Sequence, residues 1–198
     1  QKWWSFAARS VDFLAVPGCG VGRWERFEGL CRILSYHRPE LALIFCQTKR
    51  DVDELYRQLH GRGYKAEALH GDYSQHQRDQ VMQKFRNHEL DLLIATDLAA
   101  RGIDSKLDMV VNYNVPENPE TYVHRIGRTG RAGREGLAVM FVSPEDYRQL
   151  YAIEKLIKIR LQYQDLPTRE ELKTHRQDFL QMRIEEGIKD AESSDYVG

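Results

Sequence analysis

Strand-sized apolar runs that alternate with longer amphipathic segments predict an α/β fold, with a mostly parallel central sheet flanked by helices. Three observations carry that expectation. Residues 41–46, 92–95, 109–111 and 137–142 are continuous apolar runs, as strands buried on both faces of a parallel sheet are. Between them, apolar residues recur at helical spacing. Capping residues stand directly after the strands, so helix N-termini gather at the carboxyl edge of the sheet, where such folds bind anions.

Taken in order, the Gly-rich stretch 18–22 reads as a loop between Val16 and a helix beginning near Trp24. The run 41–46 is the first strand. Thr48 with Asp51 then forms a start signal for a helix whose Val52, Leu55, Tyr56 and Leu59 have i, i+3, i+4, i+7 spacing. Ser74 with Gln77 opens a second helix with Val81, Met82 and Phe85 on its buried face. Strands 92–95 and 109–111 follow. Asn118-Pro119 supplies an Asn cap with Pro in the first turn, and Ser143-Pro144 with Asp146 starts a helix after strand 137–142. Asp165-Leu-Pro167 interrupts the chain. Thr168 with Glu171 then opens a separate amphipathic helix over about 169–189, a packing, linker or dimerisation element, before a frayed end at 191–198.

Composition narrows the function classes. The chain has 198 residues, 41% of them hydrophobic, with 29 Lys and Arg against 30 Asp and Glu. No apolar run approaches the roughly 18 residues of a membrane span, and the apolar content excludes disorder throughout. Cys19, Cys31 and Cys46 include no CxxC pair, which argues against a zinc site or a disulfide framework and fits a reducing, cytoplasmic setting. Arg9 and Asp12 break the only N-terminal apolar stretch, so no signal peptide is expected, and the chain reads as a piece of something longer. Its charge is uneven. Residues 164–198 are acidic, while Arg125, Arg128, Arg131 and Arg134 recur every third residue beside His124 without an intervening acid. A nucleic acid or polyphosphate partner fits that patch despite the near-zero net charge.

Two signals are missing. No GxxxxGK[ST] loop occurs, and 18–22 lacks the spacing, Lys and hydroxyl that hold phosphate and Mg²⁺. No His, Cys and carboxylate cluster has metal-ligand spacing, so no metal site is expected. Anion ligands remain. In residues 122–133, glycines at every third position make continued helix unfavourable by about 1 kcal/mol each, so the arginines project from a turn-rich loop. Their planar guanidinium suits bidentate binding of phosphate oxygens. Residues 95–104, a strand end followed by Thr96, Asp97 and a Gly102 stop, form a loop placed for a sugar-phosphate ligand.

Five segments in register resemble motifs IV, IVa, V, Va and VI of the DEAD-box RNA helicases. They are LIFCQTK at 43–49, LHGDYSQ at 69–75 with Arg78, ATDLAARGID at 95–104, VNYNVP at 111–116 and HRIGRTGR at 124–131. The resemblance covers about residues 11–160. It implies a RecA-like three-layer fold for a helicase C-terminal domain at 11–162, preceded by an extension at 1–10 and followed by a helical extension or linker at 163–198.

Carried over residue by residue, the resemblance makes Arg128 and Arg131 arginine fingers that reach an ATP with Mg²⁺ held mainly by an N-terminal motor domain. Gly102 and Asp104 would face the ribose and phosphates. Thr48, Gly71, Gln75, Arg78 and Thr96 would follow the RNA backbone, and His124 and Arg125 would link motif VI to the ATP site and the other motor domain. Asn114 departs from the family's Asp in motif Va, which removes a charge near motif VI. The implied function is the second motor half of an ATP-dependent RNA helicase, inactive as an ATPase alone, with RNA and the N-terminal domain as partners and a homodimer through the C-terminal extension as a further expectation. Two other readings stay open: a non-catalytic α/β module that binds RNA or protein, and a duplex-DNA translocase.

Overall fold

In the computed structural model, which describes residues 11–17, 23–103, 107–130 and 136–194, strand and helix alternate almost throughout. Strand β1 (Val11–Pro17) leads to α1 (Arg23–His37), β2 (Ala42–Phe45), α2 (Lys49–Gly61), β3 (Ala66–Leu69), α3 (Gln75–Arg86) and β4 (Leu92–Ala95). Then come β5 (Met109–Asn112), α4 (Pro119–Ile126), β6 (Gly136–Val142), a short 3-10 turn (Pro144–Asp146), α5 (Tyr147–Ile157), β7 (Gln162–Tyr163) and α6 (Arg169–Ser194). The strands make one sheet in the order β3-β4-β2-β5-β6-β1-β7, and all the pairings among them are parallel.

That order decides where the helices lie. The connection through α2 moves two places along the sheet, and the one through α3 moves back, so right-handed crossovers put these helices on opposite faces. The connections through α4 and α5 run in the same direction as that of α3. Register agrees. Leu43, Leu93, Val110 and Ala138 align in one row, and Phe45, Ala95 and Met140 in the next on the same face. They pack against Val81, Met82 and Phe85 of α3 and against Tyr122, Ile126, Leu150 and Ile153 of α4 and α5. The alternate residues Ala66, Ala68, Leu92 and Ile94 point the other way, where α2 runs along β3 and β4 with Val52, Leu55 and Leu59 buried. The result is helix, sheet, helix, the three-layer RecA-like arrangement.

Several capping expectations are met atom for atom. The Thr48 hydroxyl accepts the Asp51 N–H at 3.2 Å and Ser74 the Gln77 N–H at 3.3 Å, both in reciprocal capping boxes. Asn118 Oδ1 accepts the Glu120 N–H at 3.0 Å, and Thr168 pairs reciprocally with Glu171. After Ser143 the chain makes a single 3-10 turn before α5, with Asp146 accepting from both the Ser143 N–H and its hydroxyl.

Three strands go beyond the sequence expectation. β3 is four residues long and interrupted by half-buried Glu67, which takes Lys84 Nζ at 3.3 Å, so its apolar signal is diluted. β7 is two exposed residues at the sheet edge, and β1 enters between β6 and β7; the Gly-rich stretch 18–22, expected as a loop, lies outside the described residues.

The chain divides into two compact units. One comprises residues up to 27 and 39–165; the other comprises 28–38 and 166 onward. Within the second, Tyr36 stacks on His175 with ring centroids 4.5 Å apart, and Arg38 lies 4.1 Å over the Phe179 ring. α6 continues to Ser194, past the expected end near 189. Among the described residues no helix is long and apolar enough to cross a membrane.

Candidate functional site

Because the strands are parallel, the loops that leave β2, β3, β4 and β5 all emerge at one edge of the sheet, and this is where the motif residues collect. Thr48 and Gln75 sit at the exposed N-termini of α2 and α3, and Gly71 is exposed in the loop between β3 and α3. Half-buried Thr96 begins the loop after β4, with its N–H on Leu69 O at 3.4 Å and its carbonyl accepting the Ala100 N–H at 3.0 Å. Thr48, Gly71, Gln75 and Thr96, four of the five positions that the resemblance assigns to the RNA backbone, therefore share one edge.

Side chains tie these loops together. Lys49 Nζ bridges to Asp72 at 2.8 Å, which joins the loop after β2 to the loop after β3. Their hydrogen bond holds the Asp72 carboxyl below its ordinary value and the Lys49 ammonium above it. His70, nearly buried, has Nε2 3.0 Å from Asp53 Oδ1 and accepts the Asp72 N–H on Nδ1, which fits the Nε2–H tautomer. Gln47 Nε2 donates to Glu117 at 2.8 Å and so joins the loops after β2 and β5. Beneath them, burial pushes the Cys46 thiol far up, so it stays protonated and unreactive.

Motif VI enters this network through Arg125, which the resemblance assigns to linking motif VI with the ATP site and the other motor domain. Within this domain its guanidinium makes four hydrogen bonds. Nε and Nη2 donate to the two carboxylate oxygens of Asp97, each at 2.7 Å; Nη1 donates to Asn112 Oδ1 at 3.0 Å and to the Asn114 carbonyl at 3.3 Å. The same guanidinium lies 4.9 Å from the Phe45 ring centroid. Arg125 is thus a positioning residue that holds the loops after β4 and β5 against α4. The neighbouring His124 is exposed. The Asn114 side-chain oxygen is buried without a hydrogen-bond partner, and the acid beside Arg125 is Asp97.

Arg128 follows the Gly127 cap of α4. Its Nη1 donates to the Ile103 carbonyl at 2.9 Å, and one residue on, the Thr129 hydroxyl donates to Leu107 O. From the opposite side Arg78 Nη2 donates to the Arg101 carbonyl at 2.6 Å. The two arginines therefore hold the carbonyls of the two residues flanking Gly102, whose φ of +78° is the left-handed region that glycine adopts freely. Asp104 and Arg131, expected at the same place, lie outside the described residues.

The partnership of Asp97 and Asn112 with Arg125, and the role of Gly136, are not legible in the sequence. That partnership shows itself only once β4, β5 and α4 are adjacent. Gly136, the first residue of β6, lies so close beneath motif VI that a Cβ there would collide with Thr129 Oγ1 and the Gly130 backbone. Among the described residues no group of three or more His, Cys, Asp or Glu side chains is placed to hold a metal.

Comparison with known proteins adds an independent line. The family model described as helicase conserved C-terminal domain matches residues 25–133. Over 173 residues the chain is 46% identical to the ATP-dependent RNA helicase CshA of Listeria monocytogenes, covering 87% of this chain and 33% of that protein. Among solved structures, the C-terminal domain of the DEAD-box protein Dbp5 matches with a TM-score of 0.75 at 32% identity, over 86% of this chain and 99% of that one. S. cerevisiae Dbp5 bound to RNA and ADP BeF3 matches with a TM-score of 0.75 at 32% identity, over 85% of this chain and 45% of that one. The chain spans about a third of the length of the curated relatives it matches.

Proposed function

The chain belongs to the helicase conserved C-terminal domain family, in its DEAD-box branch, and on that premise we propose that it works as the second motor domain of an ATP-dependent RNA helicase. The observation that carries the reading is the double grip on residues 101–103. Arg78, on the side assigned to RNA, and Arg128, assigned to ATP, hold the same three-residue segment. A ligand that shifts one arginine is felt by the other through two hydrogen bonds, which is what a motor that couples nucleotide to RNA requires.

In this reading Arg128 and Arg131 neutralise charge on the transferring phosphoryl group, and Gly102 and Asp104 face the ribose and phosphates. Gly102 suits that role because a Cβ built on it meets nothing within 4 Å, so its backbone is open to a ligand. ATP supplies the free energy that favours closure of two motor domains, since its phosphates engage both. Mg²⁺ is assigned to the N-terminal motor domain. Thr48, Gly71, Gln75, Arg78 and Thr96 follow the RNA backbone, which makes binding sequence-independent and salt-sensitive. Selection against DNA rests on 2′-hydroxyl contacts and A-form shape. Exposed Leu180 and Ile184, about one turn apart on α6, offer a second copy an apolar surface.

The deciding experiment compares RNA-stimulated ATPase of the two-motor protein with its Arg128→Ala and Arg131→Ala variants. Loss of about 10³-fold or more is expected for a finger. Unchanged turnover in both variants removes the finger assignment, and equal stimulation by RNA and DNA removes the substrate assignment. The fragment alone is expected to show no ATPase.

A further inference from the structure

Beside Gly102 lies a trough of about 440 Å³, lined by Arg78, Asp79, Met82, Gln83, Arg86, Arg101 and Gly102. Asp79, Met82, Gln83 and Arg86 follow i, i+3, i+4, i+7 spacing, so the trough runs down one flank of α3, with the 101–102 segment as its other wall. Eight residues of helix separate Arg78 from Arg86, about 12 Å of axis. Three guanidinium groups thus border the trough against one carboxylate. Asp79 Oδ1 already accepts Gln75 Nε2 at 2.8 Å. Among the described residues neither Arg86 nor Arg101 has a side-chain hydrogen-bond or ion-pair partner, and both are exposed.

We propose that this trough is an additional RNA subsite, in which Arg86 binds a backbone phosphate beyond those reached by Thr48, Gly71, Gln75, Arg78 and Thr96. It rests on the RNA-helicase reading and extends the strand's path from the top of α3 along its flank. The chemistry selects a polyanion. Always-charged guanidinium groups at both ends match charges repeated along a strand, which one free phosphate cannot span. No aromatic ring lines the trough, so the contact is to backbone rather than to a stacked base, and it carries no sequence preference.

The test measures single-stranded RNA affinity of the two-motor protein, with a nonhydrolysable ATP analogue, across a salt series. Arg86→Gln is expected to make the slope of log K against log salt shallower by about 0.7, the value for one phosphate on a single strand. Gln83→Glu, which adds a negative charge to the trough while leaving every arginine in place, is expected to weaken binding roughly twofold to fivefold. The charge-matched Arg148→Gln, on exposed α5 surface, leaves the slope unchanged. Shortening the RNA stepwise from each end should abolish the difference between wild type and Arg86→Gln from one end first.

An unchanged slope in Arg86→Gln with normal wild-type binding overturns the subsite alone. So does a difference that persists at every RNA length, which marks general electrostatics, or a loss of affinity for the ATP analogue or inorganic phosphate without RNA, which marks a nucleotide or free-phosphate site. A wild-type protein that binds no RNA at any salt overturns the underlying function as well.

Discussion

Arg125 and Asp97 meet as a parallel fork, Nε to Oδ1 and Nη2 to Oδ2 both at 2.7 Å, with the arginine 3% exposed and the aspartate side chain 46% exposed. One guanidinium joins motif VI to motif V, and through Asn112 and the Asn114 carbonyl to motif Va. Arg125→Lys keeps the charge and loses the fork. The expected result is a loss of about 1.5–3 kcal/mol, read as a lower urea midpoint at unchanged slope. A wild-type midpoint in that variant would show that the fork contributes nothing to the fold.

Gly136→Ala tests the seat of motif VI. The added methyl meets Thr129 Oγ1 and the Gly130 backbone, neither of them the yielding tip of a long side chain. Stability is expected to fall by about 1–3 kcal/mol, with faster amide exchange at Thr129 and Gly130 than in wild type. Unaltered exchange at those two amides would mean that β6 yields and motif VI does not.

The second compact unit carries its own pH dependence. Burial first, and the nearby His175 second, hold the His37 imidazole below its ordinary value of 6.5. His37 Nε2 and His175 Nδ1 are both buried without hydrogen-bond partners. The unfolded chain therefore binds more protons than the folded one between the depressed value and 6.5, so stability falls as pH drops through that window. Hydrogen exchange along α6 is expected to quicken below about pH 6.5, and His37→Gln to flatten the profile. Exchange independent of pH there, once corrected for intrinsic rates, would rule out the histidine pair as the cause.

How much of this was legible in the sequence depended on range. Thr48, Ser74, Asn118 and Thr168 were readable as caps because each bonds within three residues of itself. Strands β2, β4, β5 and the apolar part of β6 were readable because burial on both faces leaves unbroken apolar runs. β3 was hidden by Glu67, and β7 by having no buried residue. The partners of Arg125 lie far from it in sequence, and no spacing rule reaches Asp97 from position 125. Asn114 illustrates the limit. Its departure from the family's Asp removes a charge near motif VI, while Arg125 uses its carbonyl, which any residue would supply.

The place of β1 in the sheet has a consequence for how the domain is made. Val11 pairs with Gly136 and Pro17 with Val142, and β7 pairs only with β1. Within this domain β1 is made well before β6, its partner in the sheet, and waits for it on the order of ten seconds at ordinary elongation rates. The β3-β4-β2-β5 half can assemble in the meantime. Until β6 arrives β5 has an open sheet edge, and the pairing of β6 with β1 joins segments more than a hundred residues apart, the kind of long-range contact whose loop closure slows folding.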